Sequence, residues 1–170
     1  MNEDITIQFR PELRDHIRAN MVLYRASAWR TCDRIAGTIG VIAGLTLVLV
    51  GEWRWWLAIL FPVALAEWSD FLHLSTLQTW IFFKRNPKFK EDYTLTFRPE
   101  SLHFKTVTID STLAWTHYEA VLEDSVLFVL RYGKSLFTAI PKRALKDEDE
   151  MDRFRALLQA KIPKYKKQRF

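Results

Sequence analysis

Glu67, Asp70 and His73 stand three residues apart in a stretch otherwise rich in apolar side chains. That spacing puts two carboxylates and an imidazole on one side of a helix, where inside a membrane they could pass protons or hold an ion. A bland reading stands beside it: a helix end whose carboxylates snorkel outward and pair with Arg34 or Arg30. A second candidate is Lys142-Arg143, directly after the apolar Ala139-Ile140-Pro141, with donors that suit a phosphate or lipid head group. Its bland reading is a pair of solvated surface cations. The chain offers no Gly-rich phosphate loop, no paired cysteines and no nucleophile elbow. His16, His73, His103 and His117 are scattered, so no catalytic, cofactor-binding or metal-ligating residue is assigned and no cofactor is expected.

The elements that must position these residues begin with two apolar runs. Ile35 to Gly51 is 17 residues without a charge, proline or aromatic ring. After Glu52-Trp53-Arg54, a second run extends from Trp55 to Ala66. A bilayer core of about 30 Å takes roughly 20 helical residues, with a lower limit near 17. The pair therefore predicts a transmembrane helical hairpin over 33–73. Five of the seven tryptophans lie in or beside it, as an interfacial belt requires. Glu67 and Asp70 fall opposite the start of the first run, within reach of Arg34 at the membrane edge. Ala36, Gly40 and Gly44 make a small-residue face on which the second helix, or a second copy of the chain, can pack closely. Arg25, Arg30 and Arg34 precede the hairpin and Lys84, Arg85, Lys88 and Lys90 follow it, so the positive-inside rule places both termini in the cytoplasm. A water-soluble protein with the hairpin buried as its core is the competing architecture.

The flanks read differently. Ile5 to Phe9 alternates as a strand, and Pro11 to about Thr31 predicts an amphipathic helix. Arg14, Arg18, Arg25 and Arg30 lie on its polar side, facing either an anionic lipid surface or the protein's own domain. Leu74 to Phe83 continues the hairpin's second helix, and 74–90 serves as a linker that stops at Asn86-Pro87. Beyond residue 90 the period falls to two: Tyr93 to Phe97, Leu102 to Lys105, Thr106 to Ile109, Ser111 to Trp115 and Tyr118 to Leu122 are strand-like. A hairpin joins Val126–Tyr132 to Ser135–Ile140 around Gly133-Lys134. An acidic start at Asp147 to Asp152 opens a helix with Met151, Phe154, Leu157 and Leu158 on its apolar stripe, and a basic tail, 163–170, follows. The implied fold class is an α+β membrane protein, a small antiparallel sheet capped by a C-terminal helix. Asp4 to Glu12 matches Asp92 to Glu100 at six of nine positions, which suggests two strands of one sheet with the hairpin inserted between them. Cys32 is alone, so no internal disulfide is expected. The pI near 9.4 reflects cations beside the hairpin and in the tail, not interleaved with aromatics, so nucleic acid is not expected as a partner.

The order of hairpin, Asn86-Pro87, Tyr93–Phe97, Trp115-Thr116-His117-Tyr118, Ile140-Pro141-Lys142-Arg143-Ala144 and an acidic C-terminal helix resembles the bacterial YcxB-like membrane proteins. Leu145 departs from the aromatic residue expected there. The resemblance implies a membrane anchor carrying a cytosolic pleckstrin-homology-like (PH-like) domain, a strongly bent sheet capped by a helix, over 91–162. The N-terminal part, 1–32, would add a strand to that sheet. The expected function is then a non-enzymatic module of the bacterial inner membrane that binds a protein partner or a lipid head group in a regulatory, scaffold or immunity-type role. Its expected partners are membrane lipids, a protein of unassigned identity and, on the glycine face, a second copy. A small membrane enzyme or ion-handling protein using Glu67, Asp70 and His73 is the alternative.

Overall fold

The computed structural model of the chain describes residues 4–51, 74–133 and 136–168. The turn Glu52-Trp53-Arg54, the run Trp55–Ala66, and Glu67, Asp70 and His73 lie outside the described residues. The chain divides into two units, residues 1–23 with 79–170 and residues 24–78.

Alternation decides how the first sheet of the larger unit faces. Strands β1 (Ile5–Phe9), β2 (Tyr93–Phe97), β3 (Ser101–Lys105) and β4 (Asp110–Ala114) pair antiparallel in that order. The register sets Ile7 opposite Leu95 and Leu95 opposite Phe104; the neighbouring row runs Ile5, Phe97, Leu102, Leu113. Ile7, Leu95, Phe97 and Leu102 are all fully buried, whereas Thr6, Thr96, His103 and Thr112 form a polar row on the other face. β1 and β2, the two strands with the shared sequence, are direct neighbours although the whole second unit lies between them in the chain.

The second sheet has the order β7-β6-β5-β8, from β5 (Ala120–Glu123), β6 (Leu127–Tyr132), β7 (Leu136–Pro141) and β8 (Tyr165–Lys167). β5 and β6 are buried at successive positions, as strands covered on both faces are. Gly133, at φ +70°, starts the β6–β7 turn in the left-handed region that a side chain resists.

Four helices complete the described residues: α1 (Leu13–Ala26), α2 (Trp29–Leu49), α3 (Leu74–Arg85) and α4 (Glu148–Lys161). The architecture is α+β. Helix α4 starts from a reciprocal cap, in which Asp147 accepts from the Glu150 N–H at 2.7 Å and the Glu150 carboxylate accepts from the Lys146 N–H at 2.7 Å. It then drives Phe154 between Phe97 and Phe128, at ring separations of 4.7 and 5.3 Å in edge-to-face geometry. Trp115 and Tyr118 are buried in the same core, with the indole N–H donating to the Arg98 carbonyl at 2.9 Å.

Three elements differ from what periodicity implies. Thr106 to Ile109 is a turn, because the Thr106 hydroxyl accepts from the N–H groups of Thr108 and Ile109 and so offers the backbone an alternative to a ladder. The basic tail contributes β8, the one parallel strand, seated on the edge of β5. A lysine-rich triplet has no strand signal of its own; the partner edge supplies it. The helix expected over Pro11 to about Thr31 is two helices, α1 and the start of α2, with Ser27 and Ala28 between them.

Candidate functional site

In the sheet unit the candidate cations Lys142 and Arg143 sit on the short 3₁₀ turn that ends β7. Both are engaged from inside the protein. The Lys142 ammonium donates to Glu123 at 2.7 Å and lies 5.0 Å from the centroid of the Phe128 ring. Glu123 is the last residue of β5 and has no exposed surface. Arg155, from α4, reaches the same carboxylate at 2.9 and 3.2 Å, and the Tyr165 hydroxyl of β8 donates to its second oxygen. One buried carboxylate thus joins β5, the end of β7, α4 and β8. Burial pushes its pKa up, but the bonds from Arg155, Lys142 and Tyr165 outweigh burial and bring it down to about 2. The bond to Glu123 raises Arg155 in turn.

Arg143 makes a second clamp. Its two terminal nitrogens each donate to one oxygen of buried Asp15 in α1, both at 2.7 Å, a bidentate pairing. Asp15 also accepts from the Glu12 N–H at 2.9 Å, the place of a helix N-terminal cap. Burial works to raise Asp15, yet its bonds to Arg143 and the Glu12 amide leave it below the ordinary carboxylate value. Arg18, one turn further along α1, donates at 2.6 Å to Asp124, whose other oxygen accepts from Val126 and Leu127 N–H groups and so shapes the β5–β6 turn. Between the two readings of the arginine-bearing helix, Arg18 therefore faces the domain.

These partners lie outside the candidate set drawn from sequence. Glu123 is 19 residues from Lys142, and Asp15 is 128 from Arg143. The available signal was Glu123-Asp124, which with Ser125 interrupts an otherwise apolar run from Ala120 to Leu130. Two adjacent buried carboxylates at that position need cations reaching in to them, and Lys142, Arg155 and Arg18 supply these from partly exposed positions. Chemically, the arrangement holds elements in register, with donors of both Lys142 and Arg143 already serving carboxylates of the protein.

In the other unit, Arg30–Leu49 is a helix of 20 residues, long and apolar enough to cross a membrane. At 1.5 Å per residue it spans about 30 Å. Only 11% of this stretch is buried, where the core helix of a soluble protein is mostly buried. Ile35, Ile39, Ile42, Leu45 and Leu49 are exposed along one stripe. Thr38 and Thr46 donate their hydroxyls to the Arg34 and Ile42 carbonyls at 2.7 and 2.8 Å, so these two hydroxyls are satisfied within the helix. Arg34 is exposed near the start of the helix, and its postulated partners Glu67 and Asp70 are outside the described residues. Gly44 is buried and Gly40 half-buried, while Ala36 is exposed and its neighbour Gly37 is buried. The covered face thus runs Gly37, Gly40, Gly44, spaced three and four, which follows the helical period more closely than a strict four-residue repeat.

Residues 97–158 match the YcxB-like protein family. The matched stretch runs from the last residue of β2 into α4 and contains Glu123, Lys142, Arg143 and Arg155. The YcxB-like match leaves out Asp15, Arg18 and Tyr165, as well as the apolar helix. No curated protein and no solved structure matches the chain.

Proposed function

We propose that this chain is a membrane-anchored, non-enzymatic binding module of the bacterial inner membrane. The observation that carries the reading is the exposed apolar helix Arg30–Leu49, inserted in the chain between two strands, β1 and β2, that pair with each other. A second pass over 55–66 would complete the hairpin and return the chain to the same side. The positive-inside rule then puts both termini in the cytoplasm. A four-strand meander, a three-strand meander and a C-terminal helix plugging the core between them support a PH-like reading of the sheet unit. Such a unit would engage a protein partner or a lipid head group at the inner leaflet, in a scaffold, regulatory or immunity-type role. Lipid surrounds the anchor, and a second copy would pair away from Gly37 and Gly44, which the chain itself already covers.

Three measurements test this. After alkaline carbonate extraction of cells, the full chain is expected in the membrane pellet; recovery in the supernatant without detergent would sink the anchor. Crosslinking in native membranes followed by detergent pull-down is expected to yield a discrete partner. Charge-neutral Glu67→Gln with Asp70→Asn is expected to leave cellular function intact, and loss of function on that change would favour ion handling.

A further inference from the structure

The sheet unit carries one surface that its own packing leaves unexplained. In α3, Trp80, Ile81 and Phe82 are consecutive and all exposed, Phe82 at 60%. Three successive positions span about 200° of the helix circumference, wider than a packing face, so a medium into which the helix sinks, rather than a flat partner, is what covers all three. The Lys84 ammonium lies 4.1 Å from the centroid of the Trp80 ring, a cation placed over an exposed indole. Phe82 meets Phe89 at 5.5 Å, which carries the apolar surface past the end of the helix into the turn Pro87–Lys90. Beyond it, the Glu91 carboxylate accepts from the N–H of Thr108 at 3.2 Å and from its hydroxyl at 3.0 Å, fastening the β3–β4 turn. With the bonds to Thr106, this fixes a turn whose tip is Val107, 88% exposed. An aliphatic side chain held almost wholly in water by a hydrogen-bonded turn has no role in the unit's own core.

We infer that Trp80, Ile81, Phe82 and Val107, rimmed by Lys84, Arg85 and Lys90, dock the sheet unit on an anionic lipid surface as a second contact besides the anchor, with α3 sunk to about its axis and Ile81 deepest. The inference rests on the proposed membrane location. Charge complementarity selects the occupant: over 84–92 the cations Lys84, Arg85, Lys88 and Lys90 outnumber the acids Glu91 and Asp92, a net positive stretch that attracts anionic head groups. Tryptophan at a head-group boundary with a lysine over its face matches an interfacial site. Docking would fix which face of the sheet unit points away from the membrane toward a partner.

The test uses the full chain with Cys32→Ser and Val107→Cys, labelled at residue 107 with an environment-sensitive fluorophore. The chain is reconstituted in phosphatidylcholine vesicles with or without phosphatidylglycerol. The ratio of quenching by nitroxide lipid to quenching by aqueous iodide is expected to rise roughly tenfold when phosphatidylglycerol is present, and to fall back with Lys84→Gln plus Arg85→Gln. Full iodide access in both vesicles, from protein that floats with them, overturns the docking and leaves the anchor standing. Failure to float removes the anchor reading, and docking with it. Equal lipid quenching in both vesicles overturns the role of charge, and disulfide capture of a second copy at residue 107 would make that copy the occupant instead.

Discussion

The two units invert each other. The sheet unit hides charges: Asp15, Glu123 and Asp124 are almost wholly buried, each beside an arginine or lysine. Helix α2 does the opposite and presents isoleucine, leucine and valine outward along most of its length. Burial thus follows opposite rules within one chain. A buried charge is tolerated where complete pairing offsets desolvation, and an exposed aliphatic stripe is tolerated where the surrounding medium is not water. The contrast is what the proposed anchor requires, two units adapted to different solvents.

Removing a partner from the buried network should break the sheet unit hardest. Glu123→Ala leaves Lys142 and Arg155 without their shared carboxylate and Tyr165 without its acceptor. We expect a loss of about 3–5 kcal/mol, read by denaturant or thermal unfolding in detergent. Replacing Glu123 by Gln should cost less than Ala, since the amide keeps an acceptor for Tyr165. Equal stability of Glu123→Ala and the parent would mean the network holds nothing together. The matching experiment in the other unit puts a charge on the exposed stripe. Ile42→Lys, at the middle of α2, should cost up to about 3.5 kcal/mol of membrane insertion, measured as the inserted fraction in a translocation assay. On a helix in water the same change at a site 59% exposed would be nearly neutral, so a neutral result would place α2 in water.

Acid should separate the units as well. The Glu123 carboxyl titrates at about 2 in the folded chain against 4.5 for the free group, so folding favours its ionised form. The unfolded chain takes up the proton first as pH falls. The stabilisation is therefore complete above about pH 4.5 and is lost between there and about pH 2, roughly 3 kcal/mol in all. His16, held below its usual value by burial between Phe83 and Phe89, shifts the same way. Its contribution is present above pH 6.5 and declines as pH falls below that, because only the unfolded imidazole protonates freely. Unfolding of the sheet unit, followed by near-UV circular dichroism, should thus begin with a shallow decline and steepen below pH 4.5. A stability flat to pH 3 would contradict the assignment of Glu123.

What the sequence made legible follows from range. The apolar run of α2, the strand alternation, the Asn86-Pro87 stop and the acidic opening of α4 are local patterns, and each appears where its residues place it. The pairing of β1 with β2 is long-range, yet the repeated Asp-x-Thr-x-x-Phe-Arg-Pro-Glu pointed to it. The charge network was not legible, because Asp15, Glu123, Arg143 and Arg155 carry no sequence mark of one another. Lys142 and Arg143 stood out as a cationic pair, but nothing local reveals that two different carboxylates occupy them. β8 was hidden for a related reason: Tyr165-Lys166-Lys167 reads as a tail until an open strand edge and a buried carboxylate are beside it.

The smallest effects concern how the helices begin, and here too the units part. Asp147 has the extended backbone of a cap, φ −150° and ψ 177°, and its carboxylate accepts from the Glu150 N–H. Asp147→Ala should cost α4 about 1 kcal/mol, and Asp147→Ser should restore most of it, since a hydroxyl accepts the same bond. The cap position before helix α2 is Ala28, which already has helical angles of −65° and −25° and makes no side-chain cap bond. A side chain added there points from a helical residue and cannot reach back to the N–H groups that follow, so Ala28→Ser should change thermal stability by nothing measurable. If Ala28→Ser instead stabilised the chain as much as Asp147→Ala destabilises it, α2 would be a water-exposed helix wanting a cap. The comparison between the two units would then lose its second half.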